Sequence, residues 1–165
     1  MYQETLVILK PDALERDLVG ALIDRFERAG VRVFDIRYYA RVDEALLRRH
    51  YPDSMAESLG RKAQLAVTGI VDPVAHGRKV LERLRRYFTR GPVIAVRFGG
   101  EDAIQVVRRV TGYTDPATAA KGTIRGDYGV DTIARSTAEG RALENLVHAS
   151  GNPEEAEAEL ALWFP

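Results

Sequence analysis

His148 is one of three histidines in this 165-residue chain, and its setting sets it apart from the other two. Leu146 and Val147 read as the last apolar residues of a buried strand, so the imidazole emerges at a strand end, where open α/β sheets place their chemistry. A helix start follows at once. Asn152 is the expected N-cap, Pro153 suits the first helical position, Glu155 completes a capping box and Glu154 adds negative charge to the first turn. A histidine fixed between strand and helix, with Ser150 two residues on and Glu159 one or two turns down the helix, has the surroundings of an oriented nucleophile. Taken alone, a single histidine reads more simply as a structural residue.

Two other stretches carry groups suited to phosphate. Lys10 closes the apolar run Thr5 to Leu9 and is followed by Pro11-Asp12, a lysine either placed at a site or merely capping the sheet. The run TGYTDPATAAKGTIRGDY, Thr111 to Tyr128, offers hydroxyls at Thr114 and Thr123 and a guanidinium at Arg125. Its glycines at 112, 122 and 126 let backbone approach a ligand closely. It contains neither GxxxxGK[ST] nor GxGxxG, which excludes the P-loop and the dinucleotide fingerprint.

Composition narrows the classes. The chain is long enough for one full core and too short for two comfortable domains. It has no cysteine, so disulfides and thiolate metal sites are excluded. Neither an apolar run of membrane-spanning length nor a signal-peptide pattern is present, and a cytoplasmic location is expected. Lys+Arg and Asp+Glu balance at 24 each, which argues against a nucleic-acid binder held by a general positive field. Lysine is confined to positions 10, 62, 79 and 121. Arginine carries the rest of the positive charge and suits multidentate contact with phosphate.

The elements that must position these groups follow from periodicity. Val19, Leu22, Ile23 and Phe26 mark an amphipathic helix closed by Gly30. Val31 to Tyr39 alternates as a half-buried strand, with Phe34, Ile36 and Tyr38 on one side and Asp35 and Arg37 on the other. Asp43 caps a short helix that Pro52 stops, leaving His50 and Tyr51 at its end; His50 reads as structural, Tyr51 as a packing residue or a phosphate ligand. Pro52 to Val74 reads as a loop with one helical turn at most. Val80, Leu81, Leu84 and Phe88 mark another helix, with His76 packing on its stripe. Val93 to Phe98 is a second buried strand, and Ala103, Ile104, Val107 and Val110 give the next helical face, with Arg108 at its edge. Roughly thirty residues rich in Thr, Gly, Asp and Ala then precede His148, a length that signals a functional loop. The order contains the split β-α-β repeat of a ferredoxin-like sandwich: an α+β fold with a four-stranded antiparallel sheet and helices packed on it.

ILKPD at the first strand end, TGYTDPATAAKGTIRGDY in the loop, and NLVHAS followed by EEAEAEL and WF together resemble the nucleoside diphosphate kinase family, from about Glu4 to Phe164. The resemblance implies a ping-pong phosphotransferase in which a nucleoside triphosphate gives its γ-phosphoryl group to His148, at Nδ1, and a nucleoside diphosphate then takes it. Carried over by position, Lys10, Tyr51, Arg108, Thr114 and Arg125 would hold the phosphates. Lys10 and Asn145 would also reach the ribose hydroxyls, and Glu159 with Ser150 would orient the imidazole. The resemblance further implies a homo-oligomer, commonly a hexamer, and Mg²⁺ arriving on the nucleotide phosphates with no metal site of the protein's own.

The chain departs from the family pattern in two longer stretches, near residues 53–78 and 130–142, within one domain spanning 1–165. Counting back from Gly91-Pro92-Val93 puts Val80, with Leu84 one turn on, where the family stacks an aromatic on the nucleobase. Weaker base binding is expected unless Tyr87, Phe88 or a residue of the first insertion substitutes. Lys121 stands where proline usually precedes GTIRG. The rival readings are a phosphohistidine carrier or phosphatase using the same His148, a non-catalytic ferredoxin-like nucleotide-binding or regulatory module, and an RNA-binding sheet face. The last lacks paired exposed aromatics.

Overall fold

The computed structural model describes residues 1–165. Four strands form one sheet in the order β2-β3-β1-β4, every pairing antiparallel. β1 (Tyr2–Leu9) lies between β3 (Val93–Glu101) and the short β4 (Val147–Ala149), and β2 (Arg32–Tyr39) forms the far edge. The continuous apolar run of β1 follows from this central place, since both of its faces are covered.

Leu6 and Ile8 join one core with Leu47, Leu81, Phe88 and Trp163, contributed by α3 (Glu44–His50), α5 (Pro73–Phe88) and α9 (Pro153–Trp163). Val7 and Leu9 point the other way, into a core with Phe26, Phe98, Val107 and Ile124 from α2 (Val19–Arg28), β3, α6 (Ala103–Thr111) and α7 (Ile124–Tyr128). The expected ferredoxin-like sandwich is therefore what the chain forms. Register then does the positioning: β4 pairs Ile8 with His148, which brings the histidine beside the strand that ends in Lys10.

Two expectations fail. Pro52 to Val74 is not a loop: a 3-10 turn (Asp53–Met55) leads into α4 (Ala56–Ala66), and Pro73 opens α5 behind an Asp72 cap. Gly60, which broke the periodicity, is where α4 presses its backbone on α5; a Cβ there would lie 1.6 Å from the Pro73 carbonyl oxygen. The second failure is β2. Phe34, Ile36 and Tyr38 are all exposed, at 55%, 48% and 63%, and they do not share one side: Phe34 stands at the register shift against Tyr2 and Gly99, while Ile36 and Tyr38 pair with Val96 and Ile94 on the other face. A register shift between Val33 and Asp35 and the edge position leave these side chains where no helix of this chain covers them. A third difference is smaller: the thirty-residue loop holds two short helices, α7 and α8 (Ile133–Ala138), and Pro11 opens a short α1 (Pro11–Glu15).

Candidate active site

His148 sits at the middle of β4, and its Nε2 lies 2.9 and 3.0 Å from the two carboxylate oxygens of Glu159 on α9. Ser150 Oγ donates to the same carboxylate at 2.6 Å. Ser150 thus acts on the imidazole through Glu159 rather than by touching it. Nδ1 of His148 makes no hydrogen bond within the chain. α9 is held at its start as expected: Asn152 Oδ1 accepts the Glu155 N–H at 2.8 Å, while the Glu155 carboxylate reaches back to the Gly151 N–H, one residue beyond the cap. Burial alone would raise the carboxyl pKa of Glu159. The charge and hydrogen bond of His148, with His50 and Ser150 behind them, outweigh burial and hold it at about 2. Glu159 is therefore an anion at every working pH.

The backbone before the histidine is cranked. Leu146 adopts φ 73°, the left-handed region that costs a non-glycine residue about 1–3 kcal/mol. Its N–H is clamped by Asp12 Oδ2 at 3.1 Å, its carbonyl accepts from the Lys10 N–H at 2.9 Å, and the Tyr87 hydroxyl donates to the other Asp12 oxygen. Asp12 carried no expected role beyond its place in the turn after Lys10. Its role is to fix the strand entry that aims His148, and no local pattern signals this.

A cavity of about 390 Å³ opens in front of the histidine, and Lys10, Tyr51, Arg108, Thr114, Arg125 and Asn145 all line it. Every phosphate or ribose residue expected from the sequence is therefore on one wall with His148. Lys10 Nζ donates to Asn145 Oδ1 at 2.7 Å, and Asn145 Nδ2 donates to the Thr114 carbonyl at 2.9 Å. The guanidinium of Arg125 donates to the carbonyls of Asn145, Gly112 and Val147. These bonds fix direction without neutralising charge. Burial, then the charge of Arg125, lower the Lys10 pKa to about 7, against the pull of Asp12. Desolvation of its half-buried guanidinium lowers Arg125 to about 10, so it stays charged near neutrality. Burial raises the Tyr51 phenol well above its ordinary range, so it remains a neutral donor.

The loop is built for this. Gly112 closes α6 at φ 90°, and a Cβ there would sit 2.4 Å from Thr123 Oγ1. That same hydroxyl caps α7 by accepting the Gly126 N–H at 3.0 Å. Lys121 Nζ donates to the Gly126 carbonyl at 3.0 Å, a side-chain tie at the position where proline was expected.

The charge pattern of the cavity is decisive for its chemistry. Lys10, Lys62, Arg83, Arg108, Arg125 and Arg141 line it, and no aspartate or glutamate does, although the chain as a whole is neutral. A wider groove of about 1160 Å³ beside α3 and α5 mixes arginines with Asp43, Glu44, Asp53, Glu57 and Glu82 and holds none of the residues above. Only the first combines basic residues without acidic ones and an imidazole, the makings of an anion site.

Comparison with known proteins agrees. The family model for nucleoside diphosphate kinase matches residues 3–65 and 73–165. The chain belongs to the nucleoside diphosphate kinase family. A nucleoside diphosphate kinase of Pyrobaculum aerophilum is 40% identical over 174 residues, covering 98% of this chain and 94% of the relative. One of Chloroflexus aggregans is 40% identical over 163 residues, covering 98% and 87%. Among solved structures, an NDP kinase from Pyrobaculum aerophilum superposes with a TM-score of 0.90 at 36% identity, over 100% of this chain and 97% of that one. A transition-state mimic of the kinase from Borrelia burgdorferi with bound vanadate and ADP gives 0.84 at 32% identity, over 99% and 88%.

The aliphatic residues singled out in the sequence share this cavity. Val80 and Leu84 do line it, together with Met55 and Leu59. Tyr87 and Phe88 cannot substitute as base platforms, because both are buried in the core and Tyr87 is committed to Asp12. The first insertion brings aliphatic side chains rather than an aromatic. Sequence reasoning also underrated His50. It is buried, accepts the Trp163 indole N–H at 3.3 Å, and stacks edge-on 4.5 Å from the His148 ring. Burial, then His148, lower its pKa to about 3 despite Glu159. A neutral spacer behind the nucleophile is the result.

Proposed function

We propose that this chain is a nucleoside diphosphate kinase that carries the phosphoryl group on Nδ1 of His148 between two nucleotides. The observation that carries the reading is the division of the imidazole: Glu159 takes Nε2, while Nδ1 is left free in a cavity whose lysines and arginines meet no aspartate or glutamate of its lining. The Nδ1 lone pair attacks the γ-phosphorus. The bond from phosphorus to the bridging oxygen breaks, and its electrons leave on the nucleoside diphosphate. Phosphorylated on Nδ1 with its proton still on Nε2, the ring gains positive charge, which the fixed Glu159 anion stabilises without reorganising. A terminal oxygen of a second diphosphate then attacks the same phosphorus, and the N–P electrons return to Nδ1. Lys10, Arg108, Arg125, Thr114 and Tyr51 bind and neutralise the phosphate oxygens, in-line transfer asking chiefly for positioning and charge. Lys10 and Asn145, already bonded to each other, bind the ribose hydroxyls.

Mg²⁺ belongs to the substrate in this scheme. The one group of metal-ligating type is His50, His148 and Glu159, two nitrogens and a carboxylate already engaged, a poor match for a hard cation that wants oxygen ligands. Bridging the nucleotide phosphates, Mg²⁺ would supply further neutralisation. We place the reaction in the cytoplasm; no helix of the structure is long and apolar enough to cross a membrane. We read residues 1–165 as one domain with added segments near 53–78 and 130–142, and the working form as a homo-oligomer, a hexamer. The exposed apolar residues of this edge strand, Phe34, Ile36 and Tyr38, support assembly.

A coupled assay with ATP and dTDP on wild type and His148→Ala tests the reading. Wild type takes up acid-labile, alkali-stable label from γ-labelled ATP and releases it to GDP but not to water. Transfer surviving in His148→Ala ends the covalent mechanism.

A further inference from the structure

Of the four lysines, two reach this cavity, and Lys62 has no part in the scheme so far. Met55, Leu59 and Lys62 recur at helical spacing along one stripe of the 3-10 turn and α4, and all three line the cavity. The neighbouring stripe, Ala56, Gly60 and Ala63, is buried against α5. Both helices are pared to backbone where they cross: a Cβ on Gly60 would lie 1.6 Å from the Pro73 carbonyl oxygen, and one on Gly77 would lie 1.7 Å from that of Ala56. α4 therefore cannot roll, and the direction of Lys62 is set by helix packing.

That direction is toward phosphate. Lys62 Nζ donates to Thr114 Oγ1 at 3.2 Å, the hydroxyl assigned above to the nucleotide. The lysine makes no ion pair with any carboxylate of the chain. Burial first, and then the charges of Arg125 and Arg108, lower its pKa. An ammonium held next to two guanidiniums with no balancing anion is unfavourable until an anion arrives.

Resting on the kinase reading, we propose that Lys62 binds the nucleotide phosphates directly, exchanging Thr114 for a phosphate oxygen and tying the α4–α5 hairpin onto the substrate. The site then draws a cation from an element that contributes nothing else polar to it. Lys62 is exposed at the cavity rim, so its substitution leaves the core intact.

The test uses Lys62→Gln and Lys62→Arg, with tripolyphosphate as a competitor that has no base or sugar. Losing one charged hydrogen bond should raise KM for ADP and the inhibition constant of tripolyphosphate together by about tenfold, with kcat changed less than about threefold. Lys62→Arg should recover most of both. A wild-type inhibition constant for tripolyphosphate in Lys62→Gln overturns the assignment, as does a loss that Lys62→Arg shares in full. His148→Ala, measured beside them, separates the two readings. If it retains transfer, the kinase mechanism fails; if it is inactive while Lys62→Gln binds tripolyphosphate normally, only the role of Lys62 fails.

Discussion

The two ends of the cavity are built on opposite plans. Where the proposed reading seats the phosphates, Lys10, Asn145 and Arg125, with Glu159 and Ser150 behind His148, are each tied to named partners by hydrogen bonds of 2.6 to 3.2 Å, and Lys10 is buried. Where the proposed reading would seat the base, Met55, Leu59, Val80 and Leu84 offer aliphatic surface with no polar group of their own. Charge is preset where charge moves in the reaction, and little is set where bases differ. Preorganised dipoles accelerate transfer because they need no rearrangement in the transition state. An aliphatic wall discriminates weakly between ligands that differ in their hydrogen-bonding edges. The molecule therefore invests in the group every nucleotide shares.

The largest test of that contrast is Glu159→Gln. It keeps the shape but removes the anion behind the ring, and phosphoenzyme formation should slow by about 10²- to 10³-fold with ADP affinity nearly unchanged. Rapid-quench labelling measures it; a rate within a few-fold of wild type would show that the anion is idle. Next comes Lys10. Its pKa near 7 in the empty site means that rising pH strips its proton from the free protein, whereas the phosphate-bound form needs it. ADP affinity should fall by up to about tenfold per pH unit above 7, with uptake of close to one proton on binding. Calorimetry in buffers of different ionisation enthalpy reads this directly; constant affinity from pH 7 to 9 contradicts it. The smallest effect belongs to the base end. Val80→Phe should tighten nucleotides by about two- to tenfold through aromatic contact, at equal tripolyphosphate inhibition. If tripolyphosphate inhibition changes in step, Val80 does not face the base.

How much of this was legible varied with its cause. The strand ends, the α9 cap and the charged residues of the site announced themselves through short-range patterns, and a run such as Leu6 to Leu9 admits few alternatives to a central strand. α4 was hidden because Gly60 serves helix packing while looking like a helix breaker, a meaning that exists only once α5 lies across it. The alternation of β2 suggested one apolar side, but the bulge at Phe34 splits it, and whether a face turns inward depends on which helices reach it. His50, Asp12 and Lys62 act through groups 52 to 134 positions away, and no periodicity records such distances. Tyr87 and Phe88 illustrate the converse, since aromatic type said nothing about whether the ring was already committed.

The crank at Leu146 has a temporal consequence. Its clamp comes from Asp12 and Tyr87, and the anion that orients the next turn comes from Glu159. A growing chain has the clamp long before it has the histidine, and the histidine before its counter-charge. Until α9 has docked, nothing holds Nε2, so the aim of the imidazole depends on a segment made after it.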